Sequence, residues 1–197
     1  HARWDFAALF QPTYGPEVIE RYPEADGIVF EPRRALNEAV LASGKPAVAL
    51  HAGGGARFSR VEPDHRAVTE MTLDDLQQRG LRHFALCSVE RHRDTPRSVY
   101  FRQTCRERGL TWQERLVDLP TGAPPHRRAL EQAWTEWLAE LPTPVGLFCP
   151  WAAHGQDMLS AARLAGIDVP ERMAVLAAGI NDLQCEMCTP PLSTVDA

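Results

Sequence analysis

Short apolar runs alternate with amphipathic stretches along nearly all of this 197-residue chain, and that rhythm limits the folds open to it. Residues 27–30 (GIVF), 46–50 (PAVAL), 83–89 (HFALCSV), 145–149 (VGLFC) and 173–178 (MAVLAA) are too short for helices and nearly all apolar. They predict strands, as do residues 4–10 and 114–119 with weaker patterning. Between them, residues 16–22, 33–42, 64–79, 96–108 and 152–165 have helical spacing. Leu130, Ala133, Trp134, Trp137 and Leu138 fall at i, i+3, i+4, i+7 and i+8, one apolar helix face. Gly44, Gly80, Gly109 and Gly166 stand where four of these helices should stop. Strands that are apolar throughout are buried on both faces. The expected class is therefore α/β, with parallel sheets flanked by helices. Such sheets hold ligands outside the C-terminal ends of their strands, so the residues that follow each strand are the ones to inspect.

Composition narrows the function classes. The formal net charge is −5, and Lys45 is the lone lysine among 21 basic residues. A clustered basic surface for phosphate backbones is not expected. No run approaches the roughly 20 apolar residues that span a bilayer, and the first residues lack the apolar core of a signal peptide. Five cysteines, an odd number, argue against a disulfide framework. A cytoplasmic location is the simplest expectation.

Few motifs carry chemistry. His51 and the glycines after it follow a strand, but they match neither the Walker spacing nor GxGxxG, so they read as a plain loop. Cys185 and Cys188 have zinc-like spacing without a second pair of ligands, so no metal site is expected. There is no GxSxG, no HExxH and no legible pair of catalytic acids, which predicts no enzyme activity, no catalytic residue and no cofactor. Two residues after strands stand out. Arg97 lies in the polar stretch between the strand at 83–89 and the helix after it. It is either one more solvated charge or a planar fork of donors for ligand oxygens. Trp151, just after the strand at 145–149, is either core or a stacking surface for a sugar ring.

From residue 61 onward the sequence resembles the ligand-binding core of lac-repressor relatives, most closely the xylose-operon regulators. The residues that carry this are 61–67 (VEPDHRA), 80–85 (GLRHFA), 141–148 (LPTPVGLF), 161–170 (AARLAGIDVP), Val175-Leu176, and 185–195 ending in PPLSTV. Residues 1–60 fit the same scheme more loosely. The resemblance implies a two-lobed, periplasmic-binding-protein-like type I fold whose ligand sits between the lobes. Residues 1–80 would form a first lobe lacking its first strand and helix. Residues 81–192 would form the second lobe, and 193–197 would start the return crossover. It further implies the effector-binding domain of a bacterial transcription regulator, with a sugar or related polar effector and a homodimeric assembly. DNA would be bound only through a domain absent from this chain. The alternatives are a periplasmic solute-binding protein of the same fold and, third, a small α/β enzyme. Asp64 matches a ligand-side polar residue, and Arg97 matches the arginine that relatives use on sugar hydroxyls. Relatives often carry Asn-Asp where this chain has Pro150-Trp151, and an Asp where an ungapped match gives Gly179. A short slip brings Asn181 or Asp182 into the second role.

Overall fold

The computed structural model describes residues 5, 15–50, 57–90, 93–117, 127–179 and 185–195. The chain divides into two compact units, His1–Pro63 and Asp64–Ala197. The strand expected at residues 4–10 lies outside the described residues.

The first unit carries a three-stranded parallel sheet in the order β1 (Ile28–Phe30), β2 (Ala47–Leu50), β3 (Ser59–Val61). The helix expected at 16–22 is a single 3-10 turn, Pro16–Val18, and then further turns, each closed by i→i+3 bonds. Ile19 packs on the core of this unit while Val18 and Tyr22 stay half-buried, too little apolar anchoring to carry these turns into an α-helix. Helix α1 (Arg34–Ser43) connects β1 to β2 and ends at Gly44, whose φ of 66° is the left-handed cap conformation that glycine adopts without strain. Lys45 donates to the carbonyls of Pro23 and Ala25 at 2.7 and 2.6 Å, fixing the turn that leads into β1. Strand β3 gave no sequence signal because all three of its residues are exposed and show no alternation.

The second unit is a five-stranded, all-parallel sheet in the order β5-β4-β6-β7-β8. Its strands are β4 (His83–Val89), β5 (Thr111–Val117), β6 (Val145–Cys149), β7 (Met173–Ala178) and β8 (Ser193–Val195). Its helices are α2 (His65–Gln78), α3 (Pro96–Glu107), α4 (Arg127–Glu140) and α5 (Ala152–Leu164). The two-residue period of a strand sends alternate side chains to opposite faces. Ala85, Cys87, Leu147, Cys149 and Val175 thus meet Trp134, Leu138 and Met158 in one core layer. Phe84, Leu86, Phe148 and Leu176 meet Val68, Leu73, Leu76 and Phe101 in the other. Helices cover both faces, which is why these strands read as continuous apolar runs. Strand β5 begins at Thr111, three residues before the expected start. As an edge strand it has one neighbour, β4, and it alternates exposed and half-buried residues, a weaker signal.

The boundary between the units falls at Pro63/Asp64, whereas the sequence placed the lobe junction near Gly80. Helix α2 clusters with the second sheet because Leu73 and Leu76 are fully buried in the layer that Phe84 and Phe148 complete. Gly146 permits this close seat: a Cβ there would lie 2.9 Å from Leu76 Cδ1.

Core size predicts unequal stability. Among the described residues, the first unit's core consists of buried Phe30, Val40 and Ala49 with a few half-buried neighbours, whereas the second unit has two full layers. Local opening is easiest where few apolar contacts are broken. Amides of β1 and β2 should therefore exchange with solvent deuterium well before those of β4 and β6. Equal protection of the two sheets would refute this.

Candidate functional site

In an open parallel sheet the connections diverge where the strand order turns round, leaving a crevice at the C-terminal strand ends. Here that point lies between β4 and β6: the chain leaves β4 through α3 toward β5, and leaves β6 through α5 toward β7. The segments entering the crevice are the turn ahead of α3, which leads to Arg97, and Pro150-Trp151 ahead of α5.

Arg97 lies in the first turn of α3, which Pro96 begins and whose N-cap is Thr95. Its Nη1 donates to the Pro150 carbonyl at 2.7 Å and, more weakly, to the Ala178 carbonyl at 3.4 Å. One side chain thus ties the exit of β4 to the exits of β6 and β7. Its Nε is buried and meets no acceptor among the described residues. Burial lowers the guanidinium's pKa below the ordinary arginine value, because the charged form loses water. The N-termini of α3 and α5 meet the same edge, where the Thr95 hydroxyl donates to Ser98 Oγ at 3.2 Å. Both helix dipoles therefore add positive potential there.

Trp151 is the half-buried N-cap of α5. Its ring meets that of His154 edge-on, with centroids 5.4 Å apart. The Arg97–Pro150 bond places Arg97 beside this residue's own turn, so the structure brings these two together. Asp64 has a different local role. It is exposed and caps α2, accepting from the Ala67 amide at 2.9 Å, and forms no ion pair with Arg97. Asn181, Asp182 and the glycines after His51 lie outside the described residues. Gly179 ends β7 with φ 127°, a conformation that an aspartate there would adopt only with strain.

Sequence reasoning missed the groups that hold this turn. Arg102 forms a two-pronged ion pair with Glu114 on β5, at 3.0 and 2.8 Å, and also donates to the Arg93 carbonyl at 2.7 Å. Glu114 raises the Arg102 pKa through these hydrogen bonds. The partners come from separate elements, so no local spacing announces them. The carbonyls of Pro150 and Ala178 carry no side-chain signal at all.

Below the same edge, the Cys87 and Cys149 thiols lie 3.6 Å apart on adjacent strands, both fully buried. Burial, with the neighbouring Cys87 second, pushes the Cys149 thiol well above the ordinary range. Cys149 is therefore a protonated core thiol rather than a nucleophile. Cys185 is buried and Cys188 half-buried, and among the described residues no three His, Cys, Asp or Glu side chains converge on a point that could hold a metal. A shallow groove of about 440 Å³ runs along Gln156, Ser160 and Arg163 of α5 and Met187 and Thr189. It lies away from the strand ends.

An open parallel sheet with its polar groups gathered at the turn-round point defines a ligand-binding α/β domain of the doubly wound type. The family model described as the periplasmic binding protein-like domain matches residues 73–197, well over half the chain, and the chain belongs to that family. Among curated proteins, none matches it. Solved structures share the fold at low identity. A LacI-family transcriptional regulator from Arthrobacter sp. FB24, in complex with lactose, superposes with a TM-score of 0.75 at 20% identity, over 95% of this chain and 68% of that one. A xylose-binding transcription activator gives 0.70 at 20% identity, over 87% of this chain and 47% of its own. A periplasmic binding protein/LacI transcriptional regulator from Alkaliphilus metalliredigens, complexed with D-xylulofuranose, gives 0.67 at 13% identity, over 92% of this chain and 67% of its own. No helix among the described residues is long and apolar enough to cross a membrane.

Proposed function

We propose that this chain is the effector-binding sensor domain of a cytoplasmic transcription regulator, taking a small, polar, sugar-derived ligand at the strand-end edge of its second unit without transforming it. The observation that carries this reading is Arg97, a half-buried cation at the turn-round point that bridges the exits of three strands. A ligand accepting from Arg97 draws on the same side chain that ties those turns together. Binding is thereby coupled to the position of α3 and α5, as a sensor requires. The fold likeness to sugar-binding regulators supports the ligand class. In this reading Trp151 packs on the apolar face of the ligand, while Asp64 and Asn181 accept from its hydroxyls. DNA contact belongs to a separate domain, and the protein works as a homodimer.

Losing a buried, charge-assisted contact costs about 1.5–3 kcal/mol, so Arg97→Ala should weaken binding by roughly ten- to a hundredfold. The test is calorimetric titration of the intact protein with pentoses, hexoses and disaccharides, together with their acid and phosphate derivatives. Unchanged affinity in Arg97→Ala would remove the arginine from the site. Multiple-turnover conversion of any of these compounds would move the protein into the enzyme class.

A further inference from the structure

The sensor reading makes no use of Cys185 and Cys188, yet the fold places these two cysteines together. The Cys188 amide donates to the Cys185 carbonyl at 3.3 Å, closing a turn between β7 and β8. An i→i+3 turn holds its first and last α-carbons within about 7 Å, and a disulfide spans α-carbons roughly 4.4–6.8 Å apart. Cys185 belongs to the core layer that contains Leu159 and Leu192, and Cys188 packs on the same layer, so both side chains turn toward it. Both are thiols in this structure. The turn is also anchored: the Leu192 amide donates to the Cys185 carbonyl at 3.0 Å, just before β8 begins.

Access separates the five cysteines, all of which are among the described residues. Cys87, Cys105 and Cys149 are 0% exposed and Cys185 is 4% exposed, whereas Cys188 is half-buried. Burial also pushes the Cys105 thiol up to about 12. A reagent from solution therefore meets Cys188 first. The Cys87 and Cys149 sulfurs are 3.6 Å apart, but reaching them means opening the sheet where β4 pairs with β6. Cys188 lines the groove of about 440 Å³ beside Gln156, Ser160 and Arg163. That volume is typical of small-molecule clefts, and it gives a reagent larger than a peroxide room to lie against the thiol.

We propose that Cys188 is a thiol–disulfide exchange site that takes a low-molecular-weight disulfide in this groove, and that Cys185 is its resolving partner. The Cys188 thiolate attacks one sulfur of the reagent RSSR. A Cys188–SR bond forms, the reagent's S–S bond breaks, and RS⁻ leaves with the bonding pair. The Cys185 thiolate then attacks the Cys188 sulfur and expels the second RS⁻, leaving a Cys185–Cys188 disulfide. The two departing thiolates take up the two protons that the cysteines release. Two protein thiols are thereby oxidised, and one reagent disulfide is reduced to two thiols. Burial of Cys185 fixes the order, because its attack is intramolecular and needs no reagent to enter the core. The site is independent of the proposed sensor role.

The test treats the intact, reduced protein with glutathione disulfide and follows it by intact-mass and tryptic-peptide mass spectrometry. One glutathionyl adduct should form on Cys188 and convert to a species lacking two hydrogens, with its cross-link inside the single tryptic peptide 173–197. Dithiothreitol should restore the starting mass. Cys185→Ser should stop at the Cys188 adduct, and Cys188→Ser should slow the reaction by about tenfold or more. Circular dichroism melts establish that both variants fold, and the unsubstituted protein decides the matter even where one does not. Oxidation appearing first at Cys87, Cys105 or Cys149, or a Cys87–Cys149 cross-link, would overturn the proposal. So would a native protein that stays reduced while the urea-unfolded chain reacts. Oxidation by hydrogen peroxide but not by glutathione disulfide would remove the exchange reaction from this site.

Discussion

Trp134→Ala should cost about 3–5 kcal/mol of the second unit's stability, the largest loss expected from any single truncation considered for this chain. Trp134 is 1% exposed in the middle of α4. Its ring meets Trp137 at 5.8 Å and joins the layer formed by Leu138, Leu147 and Met158. Alanine is a better helix former than tryptophan, so none of the loss would come from the helix itself. All of it would reflect the cavity and the vanished contacts. Its indole nitrogen sharpens the test. Nε1 is buried and meets no acceptor among the described residues. Trp134→Phe gives up volume but also removes an unsatisfied donor, whose burial costs roughly 1–3 kcal/mol. The phenylalanine variant should therefore lose about 1 kcal/mol or less. Urea unfolding followed by far-ultraviolet circular dichroism gives both values. A shift below about 1 kcal/mol for Trp134→Ala would mean that α4 does not pack as described.

The sequence exposed the second unit far more fully than the first. Strands β4, β6 and β7 were legible because both faces of each are buried, which writes an unbroken apolar run into the chain. Helix α4 was legible because its apolar residues keep a strict helical period. The parts that escaped detection lacked those causes. Strand β3 is exposed throughout, and edge strand β5 alternates. The position of α2 is a tertiary fact: its periodicity announces a helix but not the sheet that receives it, and the decisive signal, Gly146 opposite Leu76, joins residues seventy positions apart. The candidate site divides in the same way. Arg97 could be singled out because it follows a strand, and Trp151 likewise. What holds Arg97 is two main-chain carbonyls that any sequence would supply. Asp64 was expected on the ligand side, and its residue type suits that as well as it suits the N-cap role that its bond to Ala67 reveals.

Gly155→Val should be the most damaging enlargement, at about 3 kcal/mol, because the position is filled from two sides. Gly155 lies in the first turns of α5, where a Cβ would come within 2.6 Å of Leu192 Cδ2 and 3.2 Å of the Ala177 Cβ. Ala177 belongs to β7 and is bound to β6 and β8, so it cannot retreat. Leu192 is 6% exposed, and its amide donates to the Cys185 carbonyl at 3.0 Å, which ties the main chain on which its side chain would have to turn away. Alanine sets the comparison. It gains about 0.8–1 kcal/mol of helix propensity over glycine while adding only the single clashing methyl, so Gly155→Ala should lie within about 1 kcal/mol of the parent. Valine adds two more methyls and recovers less propensity. If the clash with Leu192 is the cause, trimming that residue should relieve it. The double variant Gly155→Val with Leu192→Ala should then lose less than the sum of the single losses by at least about 1 kcal/mol, a coupling that thermal or urea melts resolve. Additive losses would assign the damage to α5 itself. The same helix begins at Trp151, so a displaced α5 would shift the Pro150 carbonyl that Arg97 holds. In Gly155→Val, ligand affinity should therefore fall along with stability, whereas Trp134→Ala, whose cavity a partial collapse can absorb, should leave affinity nearly unchanged at temperatures where the unit stays folded.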